Sequence, residues 1–438
     1  PLFQFQLMGI LGAFLTGDAF NLFVFFEVLL IASYGLMIHA GGQRRLRAGT
    51  QYVLYNLLGS TLFLFALGTI YAETGTLNMA DLAMRVATLD AGDGAGIRVA
   101  AVLLLLVFAV KAAILPLHFW LPASYSEAPA PVAALFAIMT KVGAYCIIRF
   151  YTLVFPPDLV ITQGLFDVWL MPAALLTVAL GMAGVLGAKR ADRMVAFSVI
   201  GSMGMLLAAV SVFTPAGISA ALYYAIHSTF AAAALFLLID VIRSRRGAAE
   251  VSFVDAPPLA GGALVAGMFF VAAIAMTGLP PLSGFLGKLL ILDAARSADL
   301  IWWVWGVILV GSLIAVVGFS RAGSQIFWKA HQSAPEPAEG DEAPVVAEGQ
   351  GVLPMVAIGG LLALLVALTV AAGPMTRVLN ATAAQLFNPE RYLAVVLTTP
   401  GKEITDHHAE DDHGDAEGSA DATEDHGAED AAAPEKDH

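Results

Sequence analysis

Apolar residues in this chain are gathered into long runs that are separated by short polar segments. A membrane-spanning helix needs about 20 consecutive, mostly apolar residues. About eleven runs approach or meet that length: residues 1–15, 20–39, 52–72, 98–124, 130–153, 168–187, 194–213, 217–242, 260–296, 301–320 and 354–373. They are too long and too uniformly apolar for the alternating pattern of barrel strands. The pattern therefore predicts an all-α, polytopic membrane protein with about 11 transmembrane helices.

Two of these runs carry signals that interrupt a helix. Residues 98–124 contain Pro116 and Pro122, and residues 260–296 are too long for one straight helix and contain Thr-Gly-Leu-Pro-Pro-Leu-Ser-Gly at 277–284. Proline removes a backbone donor and clashes with the preceding turn. The backbone groups freed at such a break must face protein or a wet cavity, because lipid offers no hydrogen bonds. We therefore predict that both helices are broken.

The two broken runs take matching places along the chain. Each is the fourth run in a series of five, the first series covering 1–153 and the second 168–320. Discontinuous helices at corresponding positions are typical of internal structural repeats. Because each series has an odd number of crossings, we predict two inverted five-helix repeats. They are followed by a polar loop at 321–353, a final transmembrane helix at 354–373 and a C-terminal extension at 374–438, disordered from about residue 401.

Basic residues mark one set of the short loops. Four loops carry arginine or lysine, in the groups Arg44, Arg45 and Arg47; Lys189, Arg190 and Arg193; Arg243, Arg245 and Arg246; Arg321 and Lys329. With eleven spans, all of these groups fall on the same side. The positive-inside rule places that side in the cytoplasm and, by parity, places the C-terminal tail outside.

Composition agrees with a membrane protein and excludes several classes of function. Residues are 58% hydrophobic and only 13% charged, with a mean hydropathy of +0.78. The net charge of −13 comes largely from residues 401–438, which hold 14 of the 35 acidic residues, so nothing favours nucleic-acid binding. The single cysteine, Cys146, excludes an intrachain disulfide and a cysteine-ligated cluster. The chain begins at Pro1 inside an apolar run, without a signal peptide, so we expect its native start to lie upstream.

Several ionisable residues lie near the middle of predicted spans. They are Glu27, Lys111, Lys141, His227 and Lys288. A charge at the centre of a transmembrane helix costs roughly 2.5–3.5 kcal/mol on insertion scales, so such residues must pair or serve a function. We interpret the five as a path for protons or cations. For Lys111, a static pairing with Glu27 stays open.

Two further residues are weaker candidates for the same path. His118 lies between Pro116 and Pro122, where freed backbone groups are expected, and Arg149 lies nearer a span end. A structural role fits each of them as well as a functional one. The sequence has no nucleotide-binding motif, no histidine pair at haem spacing and no cysteine set, so we predict no cofactor and no metal site. Energy must then come from ion gradients or from a partner subunit.

Four segments resemble the antiporter-like subunits shared by Mrp-type multisubunit Na+/H+ antiporters and respiratory NADH-quinone oxidoreductase. They are Gly12–Tyr34, Thr74–Asp81, Leu115–Val132 and Thr277–Lys288, and the resemblance extends to about residue 330. It implies that Glu27, Lys111, Lys141 and Lys288 match the charged residues of the family's proton route, and that His227 matches a family histidine. It also implies a fold of about fourteen helices that contains two inverted repeats of five helices each. The first three of the fourteen helices would be absent from this chain.

The resemblance also implies a function and a setting. We expect a proton-translocating, multi-pass subunit in a bacterial inner membrane, which acts with other subunits of a Na+ or K+/H+ antiporter complex. The amino-acid sequences of these segments and the lysine at position 288 favour the antiporter branch of the family. A proton-pumping subunit of a redox complex is the alternative. A membrane scaffold that has lost transport is a third reading, which the complete set of central charges disfavours.

Overall fold

Helices make up nearly all of the part of the chain that the structure describes. The computed structural model describes residues 1–39, 41–89, 94–256, 258–259, 261–329 and 352–399. Two isolated bridges aside, these residues contain no β-strand. The helices are α1 Leu2–Leu15, α2 Ala19–Ile38, α3 Gln43–Thr74, α4 Met79–Ala87, α5 Ala95–Lys111, α6 Trp120–Glu127, α7 Ala130–Leu153, α8 Asp167–Gly187, α9 Ala191–Ser211, α10 Pro215–Arg245, α11 Gly262–Thr277, α12 Ser283–Ala294, α13 Ile301–Gly323, α14 Val352–Val370, α15 Ala372–Leu386 and α16 Glu390–Thr398.

The prediction of an all-α, polytopic membrane protein is confirmed. Eight of the described helices, namely α2, α3, α7 to α10, α13 and α14, are long and apolar enough to cross a membrane. The other three predicted spans correspond to shorter apolar helices: α1, the pair α5 and α6, and the pair α11 and α12. The predicted polar loop at 321–353 falls mostly outside the described residues, and so does the acidic tail from residue 401.

The first predicted break lies between α5 and α6. Helix α5 ends at Lys111, Ala113 adopts a positive φ of 54°, and α6 begins only at Trp120. The backbone groups freed here find protein partners. The indole of Trp120 donates to the carbonyl of Val110 at 3.0 Å, and the amide of Leu115 donates to Oγ1 of Thr177 in α8 at 2.9 Å. The break is thus satisfied inside the protein, as lipid requires.

The second predicted break lies between α11 and α12. Helix α11 ends at Thr277, followed by Gly278 in the left-handed conformation with φ of 76°. The two prolines at 280 and 281 then prevent helix continuation before α12 begins at Ser283. Both breaks fall where the prolines predicted them. The relation of the two series as inverted repeats stays a prediction.

Small residues allow helices α8 and α9 to pack closely. A Cβ atom at Gly204 would lie 2.7 Å from the carbonyl oxygen of Ala174, and one at Gly201 or Gly181 would also collide with the facing helix. Close approach through glycine is typical of helix pairs in membranes, where van der Waals contact replaces the hydrophobic effect as a driving force. This pair supports the centre of the bundle, since nearly every residue of α9 is buried.

The arginine-rich loops meet at one end of the bundle, called the basic side below and comprising residues 41–47, 188–193 and 243–254. The buried carboxylate of Asp192 accepts from Arg190 at 2.7 Å and from Arg243 at 2.9 Å. The hydrogen bond with Asp192 raises the pKa of the Arg190 guanidinium. Arg246 donates to the carbonyls of Ser252 and Val254 at 2.7 and 2.9 Å. These contacts bring two of the predicted basic groups, at 189–193 and 243–246, together at one end of the bundle.

Candidate functional site

The first part of the candidate site joins helices α2, α3 and α5. Lys111 ends α5 and is buried, with an exposed fraction of 3%. Its Nζ donates to Oδ1 of Asn56 in α3 at 3.4 Å and lies 6.0 Å from the ring centroid of Phe26. Glu27, one residue further along α2, acts electrostatically on Lys111, and its Oε1 is buried without a hydrogen-bond partner among the described residues.

The contact of Lys111 with Asn56 differs from the static pairing that the sequence left open. No ion pair within 4.0 Å joins Lys111 to Glu27 among the residues that the structure describes. A cavity of about 10 Å³ lies beside the ammonium and is lined by Asn56 and Ser60, among others. That volume is close to the space that one water molecule needs. Glu27 and Lys111 therefore sit near each other without closing a direct bridge.

The second part of the site lies where α5 crosses α7. Gly143 makes the crossing possible, because a Cβ atom there would lie 2.8 Å from the carbonyl of Phe108 and 3.1 Å from Cβ of Lys111. Lys141 is two residues away on α7 and is 5% exposed. Its Nζ has no hydrogen-bond partner in the described part of the chain. Lys141 lines a cavity of about 340 Å³ between α7 and α10, together with Tyr145 and Thr229.

The third part of the site surrounds His227 in α10. The imidazole is fully buried, and its Nδ1 lies 2.9 Å from Oγ of Ser283, the first residue of α12. Its Nε2 has no hydrogen-bond partner in the described regions. Lys141 and Lys288 both act electrostatically on this ring. His227 is therefore the group of the site on which both Lys141 and Lys288 act.

The last part of the site uses the second break directly. Nζ of Lys288 in α12 donates to the carbonyl of Thr277, the final residue of α11, at 2.6 Å. It also donates to Oγ of Ser312 in α13 at 2.8 Å. A carbonyl freed by the broken helix therefore solvates an ammonium. At the first break, by contrast, the ammonium of Lys111 donates to the side chain of Asn56.

The two weaker candidates have different surroundings. His118 is buried in the first break, with its ring 4.4 Å from that of Phe119 and its Nδ1 without a described hydrogen-bond partner. Arg149 places its guanidinium over the ring of Tyr392 in α16, at 4.6 Å from the centroid. That contact is with the C-terminal helices, so the structure does not bring Arg149 into the row of central charges.

Neutral polar residues complete the site, and the search for ionisable groups missed them. Asn56, Ser283 and Ser312 each contact a candidate side chain, and Thr277 does so through its backbone. An amide or hydroxyl inside an apolar run is a weak signal, because serine and threonine usually bond to their own helix. Only Asn56, a larger amide in the middle of a long apolar helix, stands out in the sequence.

A family model for the membrane domain described as "NADH:quinone oxidoreductase/Mrp antiporter, TM" matches residues 16–315. That range contains both breaks and all five central charges. The chain belongs to this family. The NADH:quinone oxidoreductase/Mrp antiporter family is the one that the four sequence segments resemble, so that expectation is confirmed.

Individual members of the family are similar in sequence to this chain along most of its length. A Na+/H+ antiporter subunit from Bacillus subtilis strain 168 is 40% identical over 400 residues, which cover 90% of this chain and 77% of the relative. A probable K+/H+ antiporter subunit from Rhizobium meliloti strain 1021 is 37% identical over 429 residues, with coverage of 91% and 77%. These relatives lie on the antiporter branch of the family.

Solved structures from both branches share the fold. A chain of the Mrp complex from Dietzia sp. DQ12-45-1b superposes with a TM-score of 0.76 at 29% identity, covering 91% of this chain and 79% of that one. A chain of respiratory complex I from Thermus thermophilus gives a TM-score of 0.72 at 26% identity, with coverage of 88% and 79%. The polytopic helical fold is therefore that of the family's membrane subunits.

Proposed function

We propose that this chain is the proton-translocating membrane subunit of a multisubunit Na+ or K+/H+ antiporter. The observation that carries the proposal is the row of ionisable groups from Glu27, which is half-buried, to the buried Lys111, Lys141, His227 and Lys288; the row passes both helix breaks. The names of the relatives from Bacillus subtilis and Rhizobium meliloti support it, because they are Na+/H+ and K+/H+ antiporter subunits. By the same names the chain falls among secondary transporters rather than enzymes.

The proposed mechanism is proton exchange along the row, in which each charge alters the proton affinity of its neighbour. Glu27 and Lys111 form the first step, where a proton on the carboxyl and a proton on the amine are alternative states of one electrostatic pair. His227 suits the middle of the path, because either ring nitrogen can carry the proton while the other accepts one. Ser283 holds the ring by Nδ1 and leaves Nε2 for transfer.

Lys288 is suited to exchange because both of its protonation states have hydrogen-bond partners. Lys288 has two acceptors for its ammonium, the Thr277 carbonyl and Ser312, and the serine hydroxyl can also donate to a neutral amine. Side-chain atoms of Lys141 line the cavity of about 340 Å³ together with Tyr145 and Thr229, while its Nζ has no described hydrogen-bond partner. A row of lysines repels metal cations, so we assign the proton limb of the exchange to this subunit.

Membership of the family also supports a proposal for the assembly and the cellular location of the chain. We propose that the chain acts with other antiporter subunits in the bacterial inner membrane, with the basic side in the cytoplasm. We further propose that residues 1–153 and 168–320 are two inverted repeats that each contribute one broken helix. A redox-driven pump, the other branch of the family, is less well supported because the two bacterial relatives are named as antiporter subunits.

Substitution of the first pair tests the function. We expect Glu27→Ala or Lys111→Ala in the assembled complex to reduce Na+- or K+-dependent proton flux in vesicles at least about tenfold, since each removes a proton-exchanging group. Asp299→Ala and Lys329→Ala are matched controls, because they remove the same kinds of charge from exposed positions. Normal flux in the first two variants would rule out the proposed relay. Proton flux driven only by quinone reduction would favour the redox branch.

A further inference from the structure

A large cavity on the basic side lies apart from the row of central charges. It has a volume of about 510 Å³ and is lined by Arg44, Lys189, Arg190 and Arg193, and Glu127 is the only acidic residue among the described residues that line it. A neighbouring cavity of about 260 Å³ shares three of these residues and adds Arg47. The two cavities together form what is called the basic cavity below. It lies between the start of α3, the end of α6 and the turn from α8 to α9.

Most of the positive charge in the basic cavity is uncompensated. Arg190 is paired with Asp192 and Glu250, at 2.7 and 3.5 Å. The other four basic side chains, those of Arg44, Arg47, Lys189 and Arg193, have no ion pair within the described ranges. Like charges gathered in one concavity repel each other, and this arrangement stabilises a bound anion.

The wall of the cavity is apolar. Gly184, Gly187 and Phe197 line it, near the end of α8 and the start of α9. These residues lie at the adjoining ends of α8 and α9, two helices long and apolar enough to cross a membrane, so the apolar and basic parts of the cavity meet where a membrane surface is predicted. A small soluble anion would use only the basic part. A phospholipid would use both, with its phosphate among the arginines and its glycerol and acyl carbons on the glycines and Phe197.

We propose that the basic cavity binds the phosphodiester headgroup of an anionic phospholipid. Basic pockets between transmembrane helices on the cytoplasmic side are suited to such headgroups. Arginine contributes planar, two-pronged donors that match phosphate oxygens. A bound headgroup would join α3 and α6 of the first series to α8 and α9 of the second, next to Glu127 at the end of the broken helix. The lipid would then stabilise the contact between the two halves of the chain.

Native mass spectrometry of the assembled complex, released from nanodiscs of phosphatidylglycerol or phosphatidylcholine, tests the proposal. We expect wild type to retain phosphatidylglycerol and not phosphatidylcholine. The triple variant Arg44→Gln, Lys189→Gln, Arg193→Gln is expected to reduce retention at least about tenfold, given the usual contribution of each basic residue near an anionic surface. The control is Arg296→Gln, Lys329→Gln, Arg377→Gln, which removes equal charge from exposed positions outside the cavity and is expected to keep wild-type retention.

A variant that is expected to increase lipid retention keeps the test decisive if the triple variant does not fold. Glu127→Gln removes the carboxylate from the cavity, so we expect it to increase retention of phosphatidylglycerol even if the triple variant does not assemble. Equal losses in the triple variant and its control would overturn the proposal, because retention would then follow total charge. Displacement of the lipid by an equal concentration of inorganic phosphate would also overturn it, since the apolar wall would contribute nothing. Equally strong retention of phosphatidylcholine and phosphatidylglycerol would overturn it too, because the site would then not select an anionic headgroup.

Discussion

At the scale of single residues, the site depends on a glycine that lets a lysine reach the backbone. Gly278 follows the last residue of α11 with φ of 76°, and a Cβ atom there would lie 2.6 Å from Cδ and 3.0 Å from Nζ of Lys288. Any larger residue would have to displace the ammonium from the Thr277 carbonyl. The left-handed backbone would add strain, since L-residues other than glycine rarely adopt it.

We therefore predict that Gly278→Ala in the assembled complex lowers proton transport. The expected loss is about tenfold, because the left-handed conformation alone costs roughly 1–2 kcal/mol for a residue with a Cβ atom. The measurement is ion-dependent proton flux in vesicles at equal protein content. Gly267→Ala is the control, since Gly267 is in the same helix and a Cβ atom there meets nothing within 4 Å. Equal flux in both variants would show that the position of Lys288 is unimportant.

The ionisable residues of the site were predictable from sequence, and their partners were not. An intramembrane Glu27 or Lys141 is conspicuous because its insertion is costly. Asn56 contacts Lys111 from 55 positions away along the chain, and Ser312 contacts Lys288 from 24 positions away. Such contacts depend on how helices rotate and cross, which the periodicity of a uniformly apolar helix does not specify.

At the scale of helices, the prolines predicted where the spans break, but not which groups form hydrogen bonds with the backbone freed at each break. The first break was expected around Pro116, and α5 ends at Lys111 while α6 starts at Trp120. The amide of Leu115 finds its partner in Thr177, on the first helix of the second series. Thr177 is fully buried and also donates to the carbonyl of Ala173 at 2.6 Å, so its hydroxyl bonds at once to its own helix and to the segment between α5 and α6.

We predict that Thr177→Val destabilises the protein. Valine keeps the shape of threonine and leaves the Leu115 amide buried without an acceptor, which costs about 1–3 kcal/mol. The measurement is the thermal unfolding midpoint of the purified complex, which we expect to fall. Thr369→Val is the matched control, because the described contact of that hydroxyl is the carbonyl of Leu365 in its own helix, at 2.9 Å. A midpoint lowered equally by both substitutions would contradict a specific role for the contact between α8 and the break.

At the scale of the whole molecule, the loops that share a side were predictable because the four basic loops are separated by even numbers of predicted spans. Arg190, Arg243 and Asp192 do meet in one network, and Arg321 of α13 donates to the carbonyl of Ala188 at 2.7 Å in the same region. The sequence does not indicate that Asp192 is the shared acceptor. A carboxylate next to arginines in a loop is also what a solvated surface would show.

The orientation of the whole bundle gives a prediction of its own. If the basic side faces the cytoplasm, Gln43→Cys at the start of α3 and Asp299→Cys between α12 and α13 lie on opposite sides of the membrane, because an odd number of crossings separates them. Both positions are exposed, and the native Cys146 is buried. We therefore expect a membrane-impermeant maleimide to label Gln43→Cys only in inverted vesicles and Asp299→Cys only in right-side-out vesicles, with wild type unlabelled. Labelling of both variants from one side would mean that an even number of crossings separates them, against the predicted seven, and reversed labelling would place the basic side and its lipid cavity outside.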